Sequence, residues 1–144
     1  MGLENGIYVK PKTDRAKKYL EEDWSNSDRI ELDDGSEAYE IAYFRRYWGL
    51  RHDVLKVLGM TKDEMNDPDL CGEHPVDMIQ FSKIYDVLCT NIERNYYEEY
   101  NGYWEYHIAA DVLGHAIWTV GSMLIDFDNL DLWDEVELGF YDSP

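Results

Sequence analysis

His107, Asp111 and His115 stand four residues apart, so on a helix they drift only slowly around the axis and can face the same way. Imidazole and carboxylate are competent zinc ligands, and this triplet is the best metal candidate in the chain. A metal-bearing helix usually presents two ligands within one turn and takes the rest from another element, however, and no strong second cluster is visible. The competing reading is a polar stripe beside a buried face, with its histidines hydrogen-bonded. Cys71, His74 and Cys89 form a thinner zinc set. Cys71-Gly-Glu-His74 has a workable pair spacing, but Cys89 falls inside an apolar run and suits the core. Asp67-Pro-Asp69-Leu-Cys71-Gly72 has the glycine of a calcium loop in place. It nevertheless puts a thiol where an oxygen belongs and Met78 where a bidentate glutamate should close the loop, so it reads as a turn. Neither a metal nor an organic cofactor is expected.

The chain holds no Gly-x-Ser-x-Gly, phosphate loop, His-Glu-x-x-His or Rossmann glycine pattern. With 31 acids among 144 residues, chance alone places many carboxylate pairs together, so no pair is informative. The expectation is a binding protein and not an enzyme, with no catalytic residue assigned.

The charge says more. Lys and Arg number 13 against those 31 acids, a formal net charge of −18. Direct nucleic-acid binding through a broad basic face is therefore excluded, because phosphate neutralisation needs clustered Lys and Arg. Hydrophobic residues at 44% and aromatics at 15% supply enough apolar surface to fold despite the charge. Residues 1–18 carry five bases and two acids, residues 19–94 eight bases and eighteen acids, and residues 95–144 eleven acids and no base. Those last carboxylates must be solvated, paired with earlier bases, or offered to a partner. Whether the basic first eighteen residues fold back on the acidic body is left open. So is the fate of Arg45, Arg46 and Arg51, none of which has an acid at i±3 or i±4.

Two groups of residues are the candidate partner-binding surface. Glu98, Glu99, Tyr97, Tyr100 and Trp104 belong to an aromatic and acidic cluster around 96–106, which serves either an interface or the packing of a helix junction. Asp126, Asp128, Asp131, Asp134, Glu135 and Glu137, together with Trp133, crowd the C-terminal run. Carboxylates at i, i+4 on a helix stand about 5–6 Å apart and at i, i+2 on a strand about 6.5–7 Å, spacings that can present charge to a groove built for phosphates. A solvated, solubilising face is the commoner meaning of such a run, but large aromatics interleave this one.

The elements that must position these residues read as follows. Residues 5–10 suit a short strand, a basic and possibly helical run follows to Leu20, and the alternating Arg29-Ile-Glu-Leu32 suits an edge strand or a loop. Ile41, Phe44, Trp48, Leu55 and Leu58 predict a helix from about Ser36 to Leu58, opened by an Asp34/Glu37 capping box and stopped at Gly59. Thr61-Lys-Asp-Glu64 is a second capping box. A helix is predicted from Pro75 through Ile92, and another from Trp104 to Asp126. In the tail, Leu132, Trp133, Val136 and Phe140 fit a helix, whereas Val136, Leu138 and Phe140 alternate like a strand; periodicity leaves both open. The fold expected is mainly α, a compact single-domain helical bundle over 36–144, with a peripheral segment 1–35 that includes short strands. Two cysteines make no disulfide scaffold, and no apolar leader or membrane span is visible, which together suggest a reducing cytoplasm and two free thiols.

Glu40-Ile-Ala-Tyr-Phe-Arg-Arg46 resembles a stretch found in small uncharacterised proteins of phages and prophages of Gram-positive gut bacteria, which typically run Glu-Ile-Ala-Tyr-Trp-Arg-Lys. The likeness covers about fifteen residues and departs after Arg46. It implies a gene on a mobile element and, by association, an inhibitor of host defence such as an anti-CRISPR protein. Joined to the acidic surface, it leads to the expectation of a protein that blocks the nucleic-acid groove of a CRISPR effector or other defence nuclease by acidic mimicry. The partner is then a protein with a basic groove, with no direct nucleic-acid or membrane binding. An antitoxin for a basic nuclease toxin, or a metal-dependent enzyme using His107, Asp111 and His115, are the alternatives.

Overall fold

The computed structural model describes residues 4–98 and 105–143, with the side chains of 93–110 outside that description. The elements run β1 (Glu4–Pro11), α1 (Asp14–Asp23), β2 (Asp28–Glu31), β3 (Glu37–Arg45), α2 (Trp48–Val57), α3 (Lys62–Met65), β4 (Gly72–Val76), α4 (Met78–Glu98), α5 (Glu105–Asn129) and β5 (Val136–Ser143). The expected helical bundle is overturned. Five strands form one antiparallel sheet in the order β2-β3-β1-β5-β4, and the fold is mixed α/β.

The largest correction falls on 36–58, which is a strand and then a helix. Its misleading helical spacing has a definite origin. β1 pairs with β3 such that Tyr8 opposes Glu40 while Ile7 opposes Ala42, leaving Ile41 as an extra residue in a bulge. A bulge interrupts the two-residue alternation of a strand, so Ile41, Ala42 and Phe44 are all buried and mimic a helical step of three. Trp48, assigned to the same face, is 60% exposed. Asp34 caps no helix; its carboxylate accepts from the Ser36 amide at 2.9 Å in the β2–β3 turn. Pro75 likewise sits within β4, an edge strand where a missing N–H is tolerated. The helix after it starts at Met78. Asp77 is its cap, accepting from the Gln80 amide at 2.7 Å while Gln80 Oε1 accepts from the Asp77 amide at 3.0 Å. The strand reading of the tail is the one realised, in β5.

Other expectations stand. β1, β2, the Thr61/Glu64 capping box and the helix of 105–129 lie where the residue patterns placed them. α1 is capped by Thr13, whose hydroxyl accepts from the Ala16 amide at 3.2 Å.

The helices pack on one face of the sheet in a two-layer arrangement. Ile7, Val9, Phe44, Val76, Leu138 and Phe140 from the strands meet Leu20, Leu55, Phe81, Ile84, Val120 and Phe127 from the helices in one core. A smaller cluster of Tyr8, Leu32 and Ala38, with Ile30 and Tyr141 against it, occupies the other face. There the β2–β3 turn reaches over the sheet, and the Asp33 amide donates to Glu73 on β4, the opposite edge, at 2.7 Å. In the central β1–β5 pair, Tyr8 opposes Gly139 and Tyr141 opposes Gly6. Each ring covers the glycine across from it, and a Cβ on either glycine would collide with that ring.

Candidate functional site

Between α1, the β2–β3 edge and α5 lies an open cleft of about 610 Å³. Its size is within the range of natural ligand sites. Trp24 and Trp118 supply its aromatic rings and Asp23 and Asp111 its carboxylates; Asp28, Glu40 and Tyr43 also border it, but the Glu40 and Tyr43 side chains turn to the sheet's other face, where they bond Tyr141 and Glu4. Among the described residues that line it there is no Lys or Arg.

Each wall has a local cause. Trp24 follows the last turn of α1, and its indole N–H donates to Tyr19 Oη at 2.8 Å while that hydroxyl donates to Asp126 at 2.5 Å. This relay from α1 to α5 fixes the plane of the Trp24 ring. Burial, and the hydrogen bond to Asp126, push the Tyr19 phenol well above its ordinary pKa, so it stays a donor. Trp118 stands edge-on to Trp24, with ring centroids 5.5 Å apart, and lies over His115 at 6.2 Å. It is 63% exposed. On α5, Leu113, Ala116, Val120, Met123 and Phe127 face the core. Asp111, His115 and Trp118 occupy the opposite stripe.

Asp28 and Glu40 are direct cross-strand partners, an arrangement that sets like charges side by side. Burial raises the Glu40 carboxyl above its usual range, Asp28 and Glu4 raise it further, and a hydrogen bond from Tyr141 Oη at 2.8 Å opposes the shift. Glu40 also borders a second cavity of about 500 Å³ on the sheet's other face, with Glu31, Asp33, Glu73 and Tyr141. Tyr8 lies near those acids, and burial with the nearby Glu73, Glu137 and Asp33 pushes its phenol up to about 12.

Among the described residues, the sequence-predicted tail acids take several different partners. Asp126 holds Tyr19 as described, and Asp128 accepts from Trp133 Nε1 at 2.6 Å. The Trp133 ring packs on Phe81 and Phe127 at the edge of the core. Glu135 binds Arg15, whose other N–H groups donate to the Leu130 and Asp131 carbonyls at 2.7 Å, closing the C-terminal end of α5. Glu137 lies 3.7 Å from Lys10. The basic N-terminal segment therefore folds back on the acidic tail. Asp131 and Asp134 remain exposed. Tyr97 and Glu98 have side chains outside the described residues, and Glu99, Tyr100 and Trp104 lie outside them altogether. So does the side chain of His107, while Asp111 and His115 border the cleft; among the described residues no group of three potential ligands is placed to hold a metal.

Arg51 is paired across the fold. Its Nε and Nη2 donate to Asp142 at 2.9 and 2.8 Å, and Nη2 also reaches the Met65 carbonyl at 2.5 Å. Asn5 Nδ2 donates to the same carboxylate at 2.6 Å. Arg45 and Arg46 are exposed. Cys71 lies beside this pair, and burial together with Asp142 raises its thiol pKa, the opposite of what a nucleophilic cysteine needs. Burial also lowers the pKa of nearby His74.

Residue types and spacing alone did not single out Trp24, Trp118, Asp28 or Glu40. The one available signal was Trp118, a tryptophan on the polar stripe of an otherwise amphipathic helix. No protein-family model, curated protein or solved structure matches this chain. Among the described residues, no helix is long and apolar enough to cross a membrane.

Proposed function

We propose that this protein is an inhibitory binding protein that covers the basic nucleic-acid groove of a bacterial nuclease, a defence nuclease such as a CRISPR effector. The observation that carries the reading is the cleft. The exposed Trp118 and the acids Asp23 and Asp111 stand together at its rim, and no Lys or Arg is among the described residues that line it. Exposed Trp in a concave site is the common anchor of protein interfaces, and uncompensated charge accelerates association with a partner of opposite sign. In this reading the contact surface shifts away from the tail. Most tail carboxylates serve intramolecular contacts, so the acids of the cleft rim, with Asp131 and Asp134, carry the charge offered outward.

The test is capture from nuclease-treated bacterial lysate, followed by a cleavage assay with the captured enzyme. Wild-type protein should inhibit in competition with DNA and lose potency as salt rises from 50 to 200 mM, as phosphate mimicry requires. Combined Asp23→Asn, Asp28→Asn and Asp111→Asn should slow association. Inhibition unaffected by salt and by these substitutions would sink the reading. A captured toxin in place of a defence enzyme would make the protein an antitoxin working by the same surface physics.

A further inference from the structure

We infer that the outer face of α5 is a docking site for an amphipathic helix of a partner protein, apolar along its seam and basic along its edges. The inference rests on the reading of a basic partner and names the element that this partner brings. Val120, Met123 and Phe127 turn α5 toward the core. Asp111, Trp118, Ser122 and Ile125 follow one another at steps of seven, four and three, which returns each of them to the opposite side of the helix. Trp118 and Ile125 are 63% and 62% exposed. Two large apolar side chains left in water seven residues apart on one helix have the spacing by which one helix grips another. Trp118 is braced edge-on by Trp24, so its ring is presented before a partner arrives.

The relief between them suits a knob. Trp118 and Ile125 stand about 10 Å apart along the axis. Ser122 turns its hydroxyl back to the Trp118 carbonyl at 2.7 Å, so it neither projects nor asks for a partner. Gly121 beside it has no side chain, and the Tyr85 ring of α4 comes within 3.0 Å of where a Cβ would stand. This leaves a shallow notch with Trp118 and Ile125 at its ends and Tyr85 along one side, a seat for a Leu or Met of a second helix.

Charge selects the occupant. α5 contains no Lys or Arg, and exposed Asp23 and Asp111 border the cleft that Trp118 walls. On α1, Lys17 and Lys18 stand beside Glu21 and Glu22 at 4.0 and 3.9 Å. Lys83 on α4 lies two residues from Tyr85 and so on the far side of that helix. An apolar seam with an acidic margin complements a helix whose flanking positions are Lys or Arg. A second copy of this chain, with its formal charge of −18, would meet like charge there.

The test uses the whole protein and a blocked peptide of two Leu-Lys-Lys-Leu-Leu-Lys-Leu repeats, an amphipathic basic helix. One control peptide carries Glu for every Lys, the other Ala for every Leu. Calorimetry measures affinity, and NMR follows the indole N–H resonances. The basic peptide should shift the Trp118 resonance, leave that of Trp48 in place, and bind about tenfold more tightly than either control. Trp118→Ala should weaken it about tenfold and Ile125→Ala several-fold. Trp48→Ala removes a tryptophan of similar exposure from another element and should leave affinity unchanged. Circular dichroism and urea midpoints confirm that each variant is folded. Equal binding of either control peptide, or an equal loss in Trp48→Ala, would overturn the assignment. So would a mass in sedimentation that doubles with concentration and returns to the monomer in Trp118→Ala, since the occupant would then be a second copy. Nuclease capture undiminished by Trp118→Ala and Ile125→Ala together would refute the docking face alone. Peptide binding without any nuclease capture would refute the nuclease reading alone.

Discussion

Arg51→Met should be among the most damaging single substitutions in this protein. The side chains of Arg51 and Asp142 are 9% and 1% exposed. Removing the guanidinium deletes two of the three hydrogen bonds to the Asp142 carboxylate and leaves it with the Asn5 amide. Methionine fills much of the arginine stem's volume, so the loss is chiefly electrostatic. Breaking a buried pair from one side costs about 3–5 kcal/mol. Set against a total stability of about 5–15 kcal/mol, that is a large share, and for a chain of this size it lowers the thermal midpoint by about 10 °C. Urea unfolding followed by tryptophan fluorescence measures it. The decisive comparison is Arg51→Met combined with Asp142→Asn, which removes the orphaned charge while its carboxamide oxygen can still accept from Asn5. The double variant should be more stable than Arg51→Met alone, recovering about 2 kcal/mol. A single-variant loss below about 1 kcal/mol at unchanged m-value, or a double variant no better than the single, would refute the claim that this pair is buried and mutually dependent.

Gly139→Ala places a methyl group against the Tyr8 ring, and overpacking of this kind should cost about 1–3 kcal/mol by urea midpoint. Glu40→Gln should stabilise the protein at pH 7 by about 0.2–1 kcal/mol, because it removes the repulsion from Asp28 and still accepts from Tyr141. The folded-state pKa of Glu40 is raised, so the wild type is penalised only where that carboxyl is ionised. The advantage of glutamine should therefore fade as pH falls through that raised pKa and be gone below the ordinary glutamate pKa of about 4.3. An advantage independent of pH would contradict the repulsion argument. Arg15→Gln should lower the thermal midpoint and speed hydrogen exchange at the end of α5 around Leu130–Leu132, where the Leu130 and Asp131 carbonyls lose their donor.

Local features were legible in the residues wherever a short-range rule governed them. The Thr61/Glu64 capping box, the apolar alternation of β1 and the long period of α5 needed no tertiary knowledge. The segment 36–58 failed because a bulge changes the strand's period by one residue, and one residue is enough to turn a spacing of two into three. The Asp77/Gln80 cap was present in the sequence, but Pro75 drew the helix start three residues early. The cleft was illegible for another reason. Its walls come from residues around 24, 40 and 118, and only the sheet order and the Tyr19–Asp126 contact bring these together. The acidic tail misled in the opposite direction: a run of carboxylates looks like a surface, yet three of them hold Arg15, Lys10 and Arg51, and Asp142 is buried.

The place of β5 in the sheet also bears on how the chain folds as it is synthesised. Among the described residues β4 pairs only with β5, and β1 reaches β4 only through it. On a ribosome, β1, α1, β2 and β3 can assemble early as a three-stranded sheet with a crossover helix, but the helices that follow have three of the five strands to pack on. The Arg51 guanidinium waits more than ninety residues for its carboxylate. Contacts of such separation are the slow kind to form. Until the last strand arrives, the apolar faces of β1 and β4 and an unpaired buried arginine are exposed together, a state open to chaperones and proteases. The reciprocal tyrosine–glycine contacts then matter as a register key. A slip of one residue would set each ring against a neighbouring side chain in place of its glycine, so the strand that completes the sheet has one seat that fits.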